Sequence, residues 1–184
     1  MGTTPPHTTL IGVDDYLAGE LQSEVRHEYV AGQVYAMVGA SDRHGLIVNA
    51  LAFALTPSAR ERGCQLFTSD MKVRLEIGKQ DVFYYPDLLV SCDPDDRATY
   101  YRERPCLIVE VLSESTERLD RREKMLAYPT IPSLQEYVLV AQNVQRVEVY
   151  RRSNDWAPEV YTEGAVPLHC LQAEVPVEAV YEDV

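Results

Sequence analysis

The run Leu107-Ile-Val-Glu-Val-Leu112 limits what this chain can fold into more than any other stretch. It is strand-forming, begins after Cys106 and breaks at Ser113. A charged segment ending in Lys124 follows, and its composition suits a helix. A second strand-forming run, Glu136-Tyr-Val-Leu-Val-Ala141, comes next. Two such runs joined through a helix predict a right-handed crossover between parallel strands, and with it an α/β fold. One residue does not fit an apolar strand. Glu110 stands in its middle, and a carboxylate there is costly to bury unless something pairs with it or coordinates it.

The rest of the chain supplies further elements for a mixed sheet flanked by helices. Asp14 is a plausible cap for a short helix from Asp15 to about Leu21. Arg26 to Tyr35 reads as a hairpin turning at Ala31-Gly32. Ser41-Asp42 caps a helix over His44 to about Arg60, where Leu46, Ile47, Ala50, Leu51, Ala54 and Leu55 recur at helical spacing. Pro57 predicts a kink or an end near Thr56. From Asp70 to Ile77 apolar and polar residues alternate, as in a half-buried strand with Lys72 on its polar face. Val82 to Ser91 reads as a strand interrupted at Pro86. Arg146 to Tyr150 and Trp156 to Tyr161 read as two more strands, and Pro176 to Tyr181 as a closing helical turn. Residues 1–9 read as a disordered arm before a single domain over residues 10–184.

Composition narrows the function classes. The net charge is −12, from 17 basic and 29 acidic residues, so a generic surface would repel nucleic acid unless a basic patch or bound cations invert the field locally. No apolar run approaches a membrane span, and the N-terminal residues lack signal-peptide features. Cys64, Cys92, Cys106 and Cys170 are far apart and form no C-x-x-C pair. That pattern fits reduced thiols in a cytoplasm, not a disulfide framework or a zinc knuckle. Ser113 and Ser115 have no histidine nearby in sequence and no G-x-S-x-G elbow, which argues against a serine hydrolase.

Three ionisable residues carry the chemistry. Asp87 follows Pro86 and precedes Leu88-Leu-Val90; Glu110 lies in the apolar strand; Lys124 lies in the segment after it. If the two strands pair, the two carboxylates converge and repel unless one is protonated or a cation joins them. Hard oxygen ligands suit Mg²⁺ or Mn²⁺, and a nearby ammonium can orient an attacking water. Such a set suits phosphodiester hydrolysis.

Pro86-Asp87 followed by Glu110 in an apolar strand resembles the Pro-Asp…(Asp/Glu)-x-Lys signature of restriction-endonuclease-like nucleases. More closely, the chain resembles the Uma2 family of endonucleases. The matching phrases are Arg26-His-Glu-Tyr-Val-Ala-Gly32, Gly39-Ala-Ser-Asp-Arg-His44, Ser69-Asp-Met-Lys-Val-Arg74, Tyr84-Tyr-Pro-Asp87, Val109-Glu-Val-Leu-Ser-Glu-Ser-Thr116, Asp120-Arg-Arg-Glu-Lys124 and Ile131-Pro-Ser-Leu-Gln-Glu-Tyr137. The resemblance implies a restriction-endonuclease-like fold, a central mixed β-sheet flanked by α-helices, and metal-dependent cleavage of DNA.

It further implies that the lysine absent at Leu112 has moved to Lys124. Asp87, Glu110 and Lys124 are then the catalytic residues. Asp87, Glu110 and Glu28 hold Mg²⁺ or Mn²⁺, with Glu28 on a helical or near-helical first segment and the Val111 carbonyl as a further ligand. Arg118, Arg121 and Arg122, with Arg102 and Arg104, would hold the nucleic-acid backbone around the mouth of the site. His44 reads instead as a hydrogen-bonding residue at a helix N-terminus. The second reading is a catalytically inactive nuclease-fold module binding nucleic acid or protein, motivated by the acidic balance and by Leu112. The residues leave oligomeric state open, although a homodimer would bring two sites to two strands.

Overall fold

A computed structural model describes residues 10–113 and 117–184; the arm expected over residues 1–9, and Ser115, lie outside them. The elements run α1 (Val13–Glu20), β1 (His27–Val30), β2 (Gln33–Ala36), α2 (Asp42–Glu61), β3 (Gln65–Thr68), β4 (Lys72–Ile77), β5 (Gln80–Tyr84) and β6 (Leu88–Ser91). They continue through β7 (Tyr101–Arg102), β8 (Leu107–Leu112), β9 (Glu136–Ala141), β10 (Val147–Arg151), β11 (Pro158–Tyr161), β12 (Ala165–Leu168) and β13 (Ala173–Pro176). Between β8 and β9 lies a helical crossover: an α-turn Glu117–Leu119, a π segment Asp120–Lys124 and a second α-turn Met125–Ala127. A helical turn, Val177–Val180, follows β13.

The α/β class with mixed sheets is as expected, but the strands are divided. Among the described residues one sheet has the order β2-β1-β5-β4-β7, a second β11-β10-β9-β8-β6-β3, and β12 pairs with β13 alone. The expected parallel pair is β8 with β9, in register from Leu107 opposite Glu136 to Leu112 opposite Ala141. The strand expected over Val82–Ser91 is two strands in two different sheets. Pro86 has no N–H for a ladder, so the chain leaves the five-stranded sheet at Tyr84 and enters the six-stranded one at Leu88.

Helix α2 runs through Pro57 rather than ending near Thr56. The bond that Pro57 cannot donate would have gone to the carbonyl of Phe53. Both residues are on an exposed face of the helix, where water can replace the missing bond and the loss is mild. Helix α1 is capped by Gly12 without a side-chain hydrogen bond, not by Asp14. The hairpin turns at Ala31-Gly32 as expected, with φ of 52° and 90°. A Cβ at Gly32 would lie 2.9 Å from the Cβ of Leu10, so close packing and backbone conformation both demand glycine there.

The six-stranded sheet is covered on both faces. Leu107, Val109 and Val111 of β8 join α2 residues Ile47, Leu51 and Leu55 in one buried layer. Ile108 and Leu112 point the other way, into a layer with Val73, Leu75, Val82 and Tyr84 of the five-stranded sheet and with Ala127 and Tyr128 of the crossover. Glu110 falls on this second face by the two-residue period of a strand. A third, aromatic cluster of Tyr16, Tyr29 and Phe83 packs α1 on β1 and β5.

Candidate active site

Strands β6 and β8 pair antiparallel with Leu88 opposite Val109, which places Asp87 beside Glu110 on the face covered by the five-stranded sheet. The Asp87 N–H points to Glu110 Oε2 at 3.4 Å, and the Val111 N–H donates to Asp87 Oδ2 at 2.7 Å. The bend at Ser69 (φ 50°) donates its N–H to the Asp87 carbonyl at 3.0 Å. Asp87 is thus held by β8 and the Ser69 bend, just after the proline that moves the chain from one sheet to the other.

Lys124 arrives from the crossover. Its Nζ donates to Glu110 Oε1 at 2.9 Å and lies 3.2 Å from Asp120 Oδ1 and 3.3 Å from Glu28 Oε1. Its ammonium also sits 5.4 Å from the Tyr84 ring centre, where the aromatic quadrupole favours a cation. Tyr128, one turn further along, donates to the same Glu110 oxygen at 2.8 Å. Asp120, Lys124 and Tyr128 share one side of the crossover, and all three are buried. The π winding of Asp120–Lys124 accommodates one residue more per turn than an α-helix.

Glu28, expected on a helical segment, is instead in β1 and is buried. The Tyr85 N–H points to its Oε1 at 3.4 Å. The hairpin preference of Arg26–Tyr35 prevails over the helical placement, because two residues at positive φ close the strands on each other.

His44 takes a place the sequence did not assign to it. Ser41 Oγ accepts from the His44 N–H at 3.2 Å, which fixes the first turn of α2. The imidazole Nε2 is then 3.1 Å from Asp87 Oδ2. The sequence signs were the capping serine three residues earlier and the phrase Gly39-Ala-Ser-Asp-Arg-His44; the carboxylate it meets is 43 residues away. Lys72, expected on a polar strand face, is also buried. It donates to Tyr85 Oη at 3.0 Å, which donates to Glu20 Oε2 at 2.8 Å.

The electrostatics follow from burial and crowding. Burial pushes the Glu110 carboxyl well up from its ordinary range, against the pull of Lys124 and with a further push from Asp120 and Asp87. Burial alone would lower the Lys124 ammonium, but Glu110, Glu28 and Asp120 overcome it and hold its pKa well above the usual value. The hydrogen bond to Asp87 raises the His44 pKa against the opposing effect of burial.

Glu28, Asp87, Glu110 and Asp120 together face one ammonium and one imidazole. Even with both of those charged, the ionised site is short of positive charge. Asp120 Oδ1 is buried and accepts no hydrogen bond among the described residues, although the Lys124 ammonium lies 3.2 Å from it. Hard oxygen donors in excess of positive charge fit a divalent cation of the Mg²⁺ or Mn²⁺ kind.

The arginines divide. Arg118 and Arg122 are exposed on the crossover. Arg121 is committed to a bidentate pair with Glu148 at 2.9 Å and to Glu117 at 2.7 Å. Arg102 is buried over the Phe67 ring. Arg104 pairs with Asp93, and its backbone carbonyl accepts from Ser91 at the end of β6 away from Asp87. Arg104 therefore does not line the mouth as expected, because the loop carrying it folds toward the opposite end of the strands.

The overall fold is that of a nuclease-like α/β protein. The chain belongs to the Uma2 family, described as "Putative restriction endonuclease", whose sequence model matches residues 13–177. Two proteins of Synechocystis sp. (strain ATCC 27184 / PCC 6803 / Kazusa) are similar to it. "Uncharacterized protein slr1290" is 37% identical over 143 residues, covering 77% of this chain and 74% of that one. "Uncharacterized protein sll1609" is 34% identical over 151 residues, covering 80% and 84%. A crystal structure of "a putative nuclease belonging to DUF820" from Anabaena variabilis ATCC 29413 superposes with a TM-score of 0.74 at 18% identity, covering 94% of this chain and 98% of that one.

Proposed function

We propose that this chain is a divalent-metal-dependent endonuclease that hydrolyses DNA phosphodiester bonds in the cytoplasm. The observation that carries the reading is the convergence of Asp87, Glu110 and Lys124 at the junction of two sheets, with more carboxylate than cation around them. The family description and the nuclease fold of the Anabaena protein support the same class.

In this reading Asp87, Glu110 and Glu28 hold Mg²⁺ or Mn²⁺, with the Val111 carbonyl as a further oxygen. Bound there, the ion supplies a Lewis acid for the scissile phosphate and lowers the pKa of a water. The protein's own groups do the rest. Val111 N–H and His44 fix the Asp87 carboxylate, and Tyr128 and Lys124 fix Glu110. The Lys124 ammonium orients the attacking water and stabilises the negative charge that develops on phosphate. Arg118 and Arg122 are the exposed cations available to the nucleic-acid backbone, with Arg121 anchoring the crossover that presents them.

The test is incubation of the purified protein with duplex DNA, single-stranded DNA and RNA in Mg²⁺ or Mn²⁺, beside Asp87→Ala and Glu110→Ala. The expected loss in either variant is at least about 100-fold, as for other electrostatic catalytic groups. Cleavage unchanged in both variants sinks the site assignment. Calorimetric titration of Mn²⁺ separates the second reading: an intact protein that binds no metal is a nuclease fold used as a binding module.

A further inference from the structure

The four cysteines, distant in sequence, meet at one place. Cys64 precedes β3, Cys92 follows β6, Cys106 precedes β8, and Cys170 lies in the turn between β12 and β13. Cys64 is paired with Cys92 and Cys106 with Cys170, contrary to the free thiols expected from their spacing. Spacing missed the meeting because strand pairing, not a short motif, brings the residues together.

The two pairs are not separate. Cys92 Sγ approaches Cys106 Sγ to 3.5 Å, and the sulfurs of Cys92, Cys106 and Cys170 all lie within 4.8 Å of one another. Cys64, Cys106 and Cys170 are buried and Cys92 is half-buried, all against the layer that α2 covers. Two independent disulfides have no need to touch. Three of the sulfurs share one centre, and the fourth, Cys64 Sγ, is bonded to Cys92 at its edge. A tetrahedral zinc ion, with Zn–S bonds of about 2.3 Å and edges of about 3.8 Å, takes all four once Cys64 swings in from Cys92.

We propose that these four cysteines, as thiolates, form a structural zinc site. Thiolates are soft ligands, four of them complete the coordination of Zn²⁺, and no open position remains for chemistry. Relative to the paired form, two S–S bonds break with four electrons and four protons from two equivalents of a dithiol reductant. The four thiols so formed then release their four protons as four Zn–S bonds close. The ion clasps the ends of β6 and β8 remote from Asp87 and Glu110, and ties the β12–β13 hairpin to them. That hairpin turn is already oriented for it: Glu136 accepts the N–H groups of His169 and Cys170 at 3.0 and 2.9 Å.

The experiment uses the full chain purified under reducing conditions without chelator. It combines metal analysis with alkylation and mass measurement after denaturation without reductant. The expected result is one zinc per chain, with all four cysteines alkylated once the protein is denatured in chelator. Cobalt substitution should give the visible bands of a tetrahedral tetrathiolate. Cys170→Ser should hold at least about 10-fold less zinc, whereas Asp87→Ala should keep its full complement, which separates this ion from one at the carboxylates. Protein without zinc, with either four free thiols or two disulfides, overturns the proposal. So does iron in place of zinc, full zinc in Cys170→Ser, or its loss in Asp87→Ala. If Cys170→Ser fails to fold, the metal and alkylation results on the unaltered chain still decide.

Discussion

Replacing Lys124 by methionine keeps most of the unbranched side chain, ending one atom short of Nζ, and removes its charge. Glu110, Asp120 and Glu28 then lose the ammonium that lies 2.9–3.3 Å from each of them. Removing one partner of a buried pair costs about 3–5 kcal/mol, chiefly from the charges left behind. The penalty depends on pH, and the sign follows from burial. The Glu110 carboxyl is already pushed well up, and Lys124 is the group that pulls it back. In Lys124→Met it moves further up. A carboxyl whose folded pKa lies above its unfolded value of about 4.3 binds more protons folded than unfolded between the two. Its stabilising protonation is complete below the unfolded value and is lost as pH rises through the folded one, by up to about 1.4 kcal/mol per pH unit. The native lysine is itself held well above its ordinary pKa, so its contribution persists across this range. Urea denaturation of both proteins at about pH 5, 6.5 and 8 should therefore show a penalty that grows with pH, and Mn²⁺ should offset part of it at the upper end. A penalty below about 1 kcal/mol, or one equal at all three values, would refute the buried charge balance on which the site assignment rests.

Tyr128→Phe removes a buried donor to Glu110 and should cost about 1.5–3 kcal/mol, read as a lower urea midpoint at unchanged slope. Burial raises the Glu148 carboxyl, but hydrogen bonds from Arg121, Arg146 and Tyr150 outweigh it and hold the pKa at about 2. Its contribution is full above the unfolded value and is lost as pH falls through about 2, so Glu148→Gln should flatten the acid limb of a stability profile followed by circular dichroism. The His44 imidazole titrates above its ordinary value because of Asp87. Its contribution is present at low pH and disappears as pH rises through that raised value. Asp87→Asn should bring the His44 titration, followed by NMR, downward; an unmoved curve would deny the contact.

The parts of the fold carried by local pattern were legible in the sequence. The crossover could be read because strand and helix periods alternate plainly from Leu107 to Ala141, and the hairpin because Ala31-Gly32 is followed by strand formers. Asp120 and Lys124 were legible as neighbours from their spacing. What escaped depends on contacts made far along the chain. Pro86 marked a break, but not that the two halves join different sheets. Pro57 looked like an end because nothing local shows that the helix face carrying it and Phe53 is exposed. The β12–β13 hairpin went unread because Pro167 and Pro176 sit within its strands. His44 and the cysteines meet partners that only the assembled sheet supplies.

The π segment has a consequence for how relatives should be aligned. Glu110 and Lys124 are fourteen residues apart, and the wide turn between them takes up one residue that a plain α-helix would have no room for. Deleting a single residue from Arg121 to Glu123 should tighten that turn to ordinary α geometry while Asp120 and Lys124 stay on the same side. The interval between strand acid and helix lysine is therefore a poor criterion for membership: a gap of one position here leaves Asp120 and Lys124 on one side, whereas a gap within β8 ahead of Glu110 turns Glu110 to the other face.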